Sequence, residues 1–433
     1  MNKSVVIGAC VAVIAGGAVA AMPLYIGQQA EQAITGFTRA DFGELQISHR
    51  IERYDSGYAS ATADAVMRFS IPQEELELAF TVRHRIRHGI VGATVDSDFY
   101  PLSESEEIRQ ALAGFFGDRA AFSTTTAAGR DGTRIDLLVP AHRTPAESEL
   151  QVHIDRASGR LVIAAETMTG ELDVPAIRLS ADEAKFEMIG QSLRLATADH
   201  RDIFARSSLS YGIERIGLAD ADEALSASDI LLKSEQSPNG PLLDLTSVLT
   251  IGQLKASRGE LERLSLSANS TNLHRDAMEA LAQLNAGGEL ALDEQGLEQV
   301  AKAFLAASPT AEVSLTVGPS GEQGSLTWTL GYAAEAGVEV SLADPLALLA
   351  GVETRLLLDV SDAALLEIAR LGDAEPGLDL FRAQLAALAE DGLLVRTEHG
   401  YRATASFERG SFLINDRPQP ELLMLLGMLL MGG

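Results

Sequence analysis

The chain has 433 residues, 46% of them hydrophobic, and its 61 acidic and 34 basic side chains give a net charge of −27. The hydrophobic fraction is that of a folded protein and excludes a globally disordered chain. The acidic surface excludes a nucleic-acid-binding protein, because such proteins neutralise phosphates with Lys and Arg, and it disfavours tight docking on anionic lipid headgroups. The single cysteine, Cys10, excludes an intrachain disulfide.

An uncharged apolar run occupies Val5–Ile26 and follows Lys3. As a helix rising about 1.5 Å per residue it would cover roughly 33 Å, which is enough to cross a bilayer. Because Glu31 is the first charge after the run, we predict a single-pass inner-membrane anchor at residues 1–29, with the N-terminus inside and the bulk in the periplasm. The alternative is cleavage near Ala20, which would leave a soluble periplasmic protein; the apolar residues beyond that site favour retention.

Long strands are predicted from Gly43 onward, within a β-rich exported domain at residues 30–275. Apolar residues alternate with polar ones in three runs, which place on one face Leu45, Ile47, His49 and Ile51, then Ala59, Ala61, Ala63, Ala65, Met67 and Phe69, then Leu76, Leu78, Phe80, Val82, His84 and Ile86. A period of two with Pro and Gly turns is typical of antiparallel strands with one covered face. The many strands and few helices predict a large twisted antiparallel sheet.

The pattern changes after His274, and we predict a third domain, of α+β type, at residues 276–433. Helices at 277–284 and 297–306 precede a strand pair at 313–317 and 326–330, and the order repeats with helices at 363–371 and 380–389 and strands at 393–397 and 401–407. We interpret this as two helix–helix–hairpin units packed on the sheet. The predicted fold class is therefore α+β and β-rich, with an N-terminal transmembrane helix.

An apolar segment closes the sequence at residues 422–431 and is broken only by Gly427. It is too short to span a bilayer. We interpret it as a buried docking helix, with a dimer contact or a membrane contact as the alternative.

No short motif of a known enzyme class is present: there is no His-Glu-x-x-His helix, phosphate-binding glycine loop, nucleophile elbow or cysteine pair. His84 and His88 are four residues apart, but four residues of strand span about 13 Å, which prevents shared metal ligation. We therefore predict no catalytic residue, no cofactor and no metal site.

Three arginines, Arg83, Arg85 and Arg87, share the other face of the third predicted strand. Like charges in a row on a sheet repel one another unless something neutralises them. One explanation is pairing with nearby acids such as Glu75 and Glu77. The other is an anion or partner contact that would take a phospholipid headgroup, a glycan carboxylate or an acidic loop.

Several short motifs resemble the YdgA-like family of bacterial envelope proteins of unknown function. The early motifs contain Tyr54, Gly57, Tyr58, His88 and Gly89. The closing motifs run through Gly392–Leu394, Tyr401, Phe407–Gly410 and Leu413–Pro418, and contain Gly410, Asn415 and Pro418. Ile90 and Asp416 depart from the pattern, since the family has proline and glycine there. The resemblance implies an N-terminal membrane segment, an exported β-rich region and structural roles for these residues, and it implies no activity.

The leading functional prediction is a structural or interaction protein of a Gram-negative inner membrane that faces the periplasm and forms a homo-oligomer or binds an envelope protein. The alternative is binding or transfer of a lipid or another hydrophobic ligand along an apolar groove of the sheet. That alternative requires an apolar face that the C-terminal helices leave uncovered. A third hypothesis is an enzyme whose site is assembled from distant residues.

Overall fold

The computed structural model describes residues 39–42, 45–56, 60–71, 76–88, 92–103, 110, 114–129, 132–145, 150–182, 184–220, 223–257, 259–285, 294–318, 322–334, 345–371, 378–408 and 410–419. The chain divides into two compact units, one up to Ile203 and one from Phe204 onward. This division falls at a different place from the predicted domain boundary at 275/276, which stays a prediction, because contact density does not test which segments fold independently.

The first unit is built from antiparallel strands. Their bounds are β1 (Arg39–Phe42), β2 (Leu45–Ser56), β3 (Ser60–Ile71), β4 (Leu76–His88), β5 (Gly92–Leu102), β6 (Phe122–Gly129), β7 (Gly132–Val139), β8 (His142–Arg143), β9 (Leu150–Ile154), β10 (Ala157–Ala164), β11 (Thr167–Ala181) and β12 (Ala184–Thr197). Each strand from β1 to β7 pairs with the next, and the ladder continues through β10 and β11 to β12. The second half of β11 pairs with β9, which in turn pairs with β8.

One face of this ladder forms the core, as the alternation predicts. Ile47, Ala65 and Val82 are fully buried. The rings of Phe80, Phe99 and Phe122 stack or meet edge to face at the centre, with Phe99 and Phe122 centroids 4.1 Å apart. Side chains from β2 through β11 join this single cluster. The prediction of a β-rich antiparallel architecture with one covered face is therefore confirmed for this unit.

The second unit also consists mainly of antiparallel strands. Their bounds are β13 (Ser207–Ala219), β14 (Ala224–Asn239), β15 (Leu242–Ile251), β16 (Gln253–Ala256), β17 (Gly259–Leu261), β18 (Leu264–His274), β19 (Thr310–Val317), β20 (Gly324–Tyr332), β21 (Val352–Ser361), β22 (Val395–Arg396), β23 (Gly400–Glu408), β24 (Ser411–Ile414) and β25 (Arg417–Pro418). The ladder runs β13–β14–β15–β18–β19–β20–β21–β23–β24–β25. The short strands β16 and β17 extend the β15 and β18 hairpin, and β22 pairs with β23.

Five helices of the described residues belong to this unit: α1 (Arg275–Asn285), α2 (Glu294–Ala306), α3 (Pro345–Gly351), α4 (Asp362–Leu371) and α5 (Leu378–Glu390). The pair α1 and α2 connects β18 to β19, and the pair α4 and α5 connects β21 to β23. Ala364, Leu365 and Leu385 of the second pair bury against Val360 and Tyr401 of the sheet.

The helix pairs and hairpins of the predicted units are present, since β19 pairs with β20 and β22 pairs with β23, but the units do not pack on the sheet as predicted. The strands that flank each helix pair, β18 with β19 and β21 with β23, are direct neighbours in the ladder. The repeated unit is therefore strand–helix–helix–strand, and its strands belong to the sheet instead of packing on it. The predicted second hairpin contributes only the two residues of β22. Local alternation reveals a strand but does not tell which distant strand pairs with it, and this is why the repeat was framed incorrectly.

The structure does not support the transmembrane component of the predicted fold class. In the part of the chain that the structure describes, no helix combines the length and the apolar character needed to cross a bilayer. The run Val5–Ile26 that motivated the prediction lies outside the described residues, as does the apolar segment 422–431.

Candidate functional site

The three predicted arginines lie on the outer face of β4 and are engaged by residues of the next strand. Arg85 forms an ion pair of 2.9 Å with Asp98, and Arg87 forms one of 2.8 Å with Asp96. The guanidinium of Arg83 lies over the ring of Tyr100, 4.8 Å from its centroid. Neutralisation of Arg85 and Arg87 thus comes from β5. Of the two acids proposed from sequence, Glu77 pairs with Arg68, and Glu75 is outside the described residues.

These arginines belong to charged rows that cross the sheet perpendicular to the strands. Residues in direct register on neighbouring strands alternate in charge or carry hydroxyls, and one such row contains Thr62, Arg85, Asp96, Thr125, Asp136, Arg160, Glu171 and Arg194. Opposite charges directly across strands attract, which offsets the repulsion along each strand. The Thr125 hydroxyl donates to Asp96.

A shallow cavity of about 350 Å³ lies along this row, between β6, β7, β10 and β11. Arg160 lies at the centre of its charged side chains and forms ion pairs with Asp136 and, at 3.9 Å, with Glu171. Arg160 donates to Asp136 at 2.8 Å, and this hydrogen bond raises the pKa of Arg160 above its ordinary value. Because Arg160 is already paired with carboxylates, it offers little uncompensated charge to an anionic ligand.

A buried polar band interrupts the apolar inner face of the same unit. His84, Ser97 and Thr124 stand in direct register on β4, β5 and β6, and all three are buried. The His84 Nδ1 lies 2.8 Å from the Ser97 hydroxyl, and the His49 ring meets the His84 ring edge to face at 5.7 Å. Burial, with a smaller contribution from His49, lowers the pKa of His84 to about 3. A histidine that is neutral at pH 7 and so hard to protonate is poorly matched to general acid–base catalysis.

Metal binding finds no support in the described ranges. No group of three or more His, Cys, Asp or Glu side chains there is arranged to hold an ion. His84 and His88 both lie in β4, as the alternation indicates, so they do not form a helical metal pair.

The closing family-like motif forms a tight structural joint. Asn415 and Asp416 both have positive φ, 47° and 62°, at the centre of the two-residue turn between β24 and β25. The Asn415 side chain accepts from the Thr404 amide and donates to the carbonyls of Gly392 and Leu393. Gly392, with φ of 75°, ends α5. The motif therefore connects the sheet edge to the end of a helix.

The remaining motif residues have local roles or lie outside the described residues. Gly410, with φ of 73°, precedes β24, and Pro418 is the last residue of β25. Tyr54 packs in a small cluster with Ile86 and Val95. His88 is the last residue of β4. Gly57, Tyr58 and Gly89 are among the residues that the structure leaves undescribed.

The second unit presents a feature that sequence reasoning named only in general terms. One face of its sheet is formed by apolar rows in direct register. We call these rows the apolar face; they contain Leu249, Leu266, Leu315, Leu326, Leu358 and Ala403, then Ala268, Val313, Trp328, Leu356, Ala405 and Ile414, then Ser270, Ala311, Leu330, Thr354, Phe407 and Phe412. None of these positions carries a charged side chain. The opposite face of the same strands carries mainly Ser and Thr, such as Ser314 and Thr327, which bond to each other.

The centre of the apolar face is open to solvent. Trp328 is 46% exposed and Leu356 is 40% exposed, and four further large apolar side chains at the centre have similar exposure, namely Leu266, Val313, Leu326 and Leu330. The helices α4 and α5 pack on Leu358 and Ala403 at one end of the face and stop there. The exposure of the six central side chains shows that the described helices leave these rows at least partly uncovered. Alternation in the sequence indicated these strands, but it could not show that their apolar side lacks a cover.

The comparisons with known proteins assign the chain to a family without an activity. No curated protein and no solved structure matches the sequence. A family model, described as a bacterial protein of unknown function, matches residues 1–421, which is nearly the whole chain. The sequence thus belongs to the bacterial family of unknown function DUF945.

Proposed function

We propose that the second unit binds the acyl chain of a neutral or zwitterionic amphiphile on the apolar face. The observation that carries this proposal is the exposure of six large apolar side chains at the centre of the face. Together they present on the order of 400 Å² of apolar surface, which lies within the range of about 300–600 Å² of the largest apolar patch on a typical monomeric protein. The largest patch of a protein is often its functional site.

The chemistry of the face favours a hydrocarbon chain over a protein partner. Protein interfaces carry about one hydrogen bond per 100–200 Å². The hydroxyl of Thr354, one of the few polar groups on the apolar face, already accepts from the Trp328 indole and donates to the Thr329 carbonyl. A hydrocarbon chain requires no polar partner, so it matches this surface.

The charge of the whole chain restricts the headgroup. A net charge of −27 repels anionic amphiphiles through long-range electrostatics. A zwitterionic or uncharged headgroup avoids this repulsion. We therefore assign the ligand class as single-chain amphiphiles with no net charge.

Trp328 makes the proposal directly testable because it is the only tryptophan of the chain. Lysophosphatidylcholine with bromine atoms in its acyl chain quenches tryptophan fluorescence on contact. We expect saturable quenching of Trp328 below the critical micelle concentration. Affinity should rise about twofold to fourfold for each added methylene, because a fully buried CH₂ contributes roughly 0.8 kcal/mol.

A matched pair of variants on β20 provides the control. Leu326→Asn with Leu330→Asn places two amides on the apolar face and should abolish quenching. Ser325→Asn with Thr327→Asn changes the opposite face of the same strand and should leave quenching unchanged. Absence of quenching in the wild-type protein, or equal quenching in both variants, would show that the apolar face does not bind acyl chains.

We also propose that the protein acts outside the cytoplasm. The support for this location is the pattern of the first thirty residues, and the described structure carries no information on it. Binding to an envelope protein or a second copy of the chain would be an alternative use of the same face. Chemical cross-linking in intact cells, followed by mass spectrometry of adducts at β19 and β20, distinguishes these uses.

A further inference from the structure

The chain itself supplies an occupant for the apolar face. We propose that the apolar segment 420–433 docks on the face and is displaced by the acyl-chain ligand. The displacement by a ligand rests on the proposed function. The docking of the segment is argued independently, from the arrangement of the sheet edge.

The point at which the segment leaves the sheet is next to the apolar face. Gln419, the last described residue, donates its backbone amide to the Phe412 carbonyl at 2.8 Å. Phe412 and Ile414 on β24 belong to the apolar rows, and Ile414 shares its row with Trp328. The segment therefore starts at the edge of the surface that it would cover.

The segment has the composition and the reach to cover the face. Between Leu422 and Met431 every residue except Gly427 is Leu or Met, and no charge follows Glu421. Strand β20 is three strand spacings from β24, or about 14 Å. Fourteen residues extend about 21 Å even when helical, so the segment spans from the sheet edge to Trp328 and beyond.

The position of the segment in the chain favours it as the occupant over the other long apolar run. The long apolar run Val5–Ile26 is joined to the first unit through β1, whereas residues 420–433 are joined directly to the sheet that carries the apolar face. Leu and Met side chains adapt to a flat aliphatic surface, and covering both surfaces removes each from water.

Cross-linking with a short bis-maleimide tests the docking in the full chain with Cys10→Ser. Leu426→Cys is combined with Leu330→Cys on the apolar face or, as the matched control, with Thr329→Cys on the opposite face. Intramolecular cross-linking should be at least fivefold faster with Leu330→Cys. Equal rates would overturn the inference, and cross-links only between two chains would overturn it in favour of a second copy as the occupant.

Lipid titration tests the displacement. Full-length protein with Leu425→Ser, Leu426→Ser and Leu429→Ser should bind the brominated lysophosphatidylcholine at least threefold more tightly than wild type. An unchanged midpoint with quenching in both proteins would overturn the displacement while retaining the proposed function. No quenching in either protein would refute the proposed function, and the cross-linking rates would still decide whether the segment docks.

Discussion

Asn415 and Asp416, the two adjacent residues of the β24–β25 turn, share a backbone conformation but differ in what their side chains contribute. Both have positive φ, which a two-residue hairpin turn of this type demands and which glycine or asparagine accepts most readily. Asn415 also supplies three side-chain hydrogen bonds to Thr404, Gly392 and Leu393. Asp416 is exposed, and glycine stands at its position in the family pattern that the sequence resembles.

The same substitution at these two positions should therefore change stability in opposite directions. Asp416→Gly should raise the free energy of unfolding by about 0.5–1 kcal/mol, because it relieves a left-handed conformation. Asn415→Gly should lower it by about 1–2 kcal/mol, because three backbone groups, two of them partly buried, lose their hydrogen-bond partner. Urea unfolding monitored by circular dichroism measures both values. A loss of stability in Asp416→Gly would contradict this explanation of the turn.

His84 makes the first unit sensitive to acid. In the unfolded chain a histidine binds a proton below pH 6.5, whereas the folded protein resists protonation of His84 until about pH 3. The unfolded state thus binds more protons between these values, and stability falls as the pH falls from 6.5 toward 3.

Replacing His84 should remove the one proton that the unfolded chain takes up at this position between pH 6.5 and 3. The slope of unfolding free energy against pH between pH 4 and 6 should be smaller in His84→Gln than in wild type by about 1.4 kcal/mol per pH unit. Urea titrations at several pH values give both slopes, and carboxylates common to both proteins cancel in the difference. Parallel slopes would mean that the unfolded state gains no proton at this site.

At the level of single residues, sequence reasoning identified side chains but not their partners. The positions of His84 and of the arginines on opposite faces of one strand follow from the period of two. The partners Ser97, Asp96 and Asp98 lie on β5, and their register depends on the loop between β4 and β5, which alternation does not determine.

At the level of elements, the outer face of the first unit is stabilised by opposite charges on neighbouring strands. Arg85 and Arg87 are both more than half exposed, so each ion pair contributes only about 0.2–1 kcal/mol. The pairs matter together, because removing the arginines leaves Asp96 and Asp98 as like charges side by side on one strand.

Removing the arginines alone, or the arginines together with their aspartates, should show whether these residues stabilise the fold by charge pairing. Arg83→Gln with Arg85→Gln and Arg87→Gln should lower the unfolding free energy by about 1 kcal/mol. Adding Asp96→Asn and Asp98→Asn to that variant should recover part of the loss. Thermal and urea unfolding measure both steps. If the variant with five substitutions is less stable than the variant with three, charge pairing does not stabilise these rows.

The repeated element shows where sequence reasoning stops. All four helices of the two pairs were predicted within three residues of their bounds. The strands β19, β20 and β23 were predicted as well. The pairing of β18 with β19 across a helix pair, and of β21 with β23 across another, depends on contacts between residues far apart in sequence. Such contacts leave no local pattern, and for the same reason the openness of the apolar face was not predictable.

At the level of the whole molecule, acidic charge and an open apolar surface coexist. The net charge of −27 keeps copies of the chain apart in solution. An exposed apolar sheet face would otherwise promote association. Among the described residues, the apolar face contrasts with the polar outer rows of the first unit and with the Ser and Thr side chains on the opposite face of the second.

The order of strands along each ladder also bears on how the chain acquires its structure. From β2 to β7 every strand pairs with the strand that precedes it in the sequence. Most loops that must close in this part of the first unit are therefore short, and the entropy lost on closing them is small. All-β proteins usually fold slowly because their pairings join distant segments. A succession of neighbouring hairpins avoids that cost, so this ladder can grow strand by strand as the polypeptide emerges during synthesis.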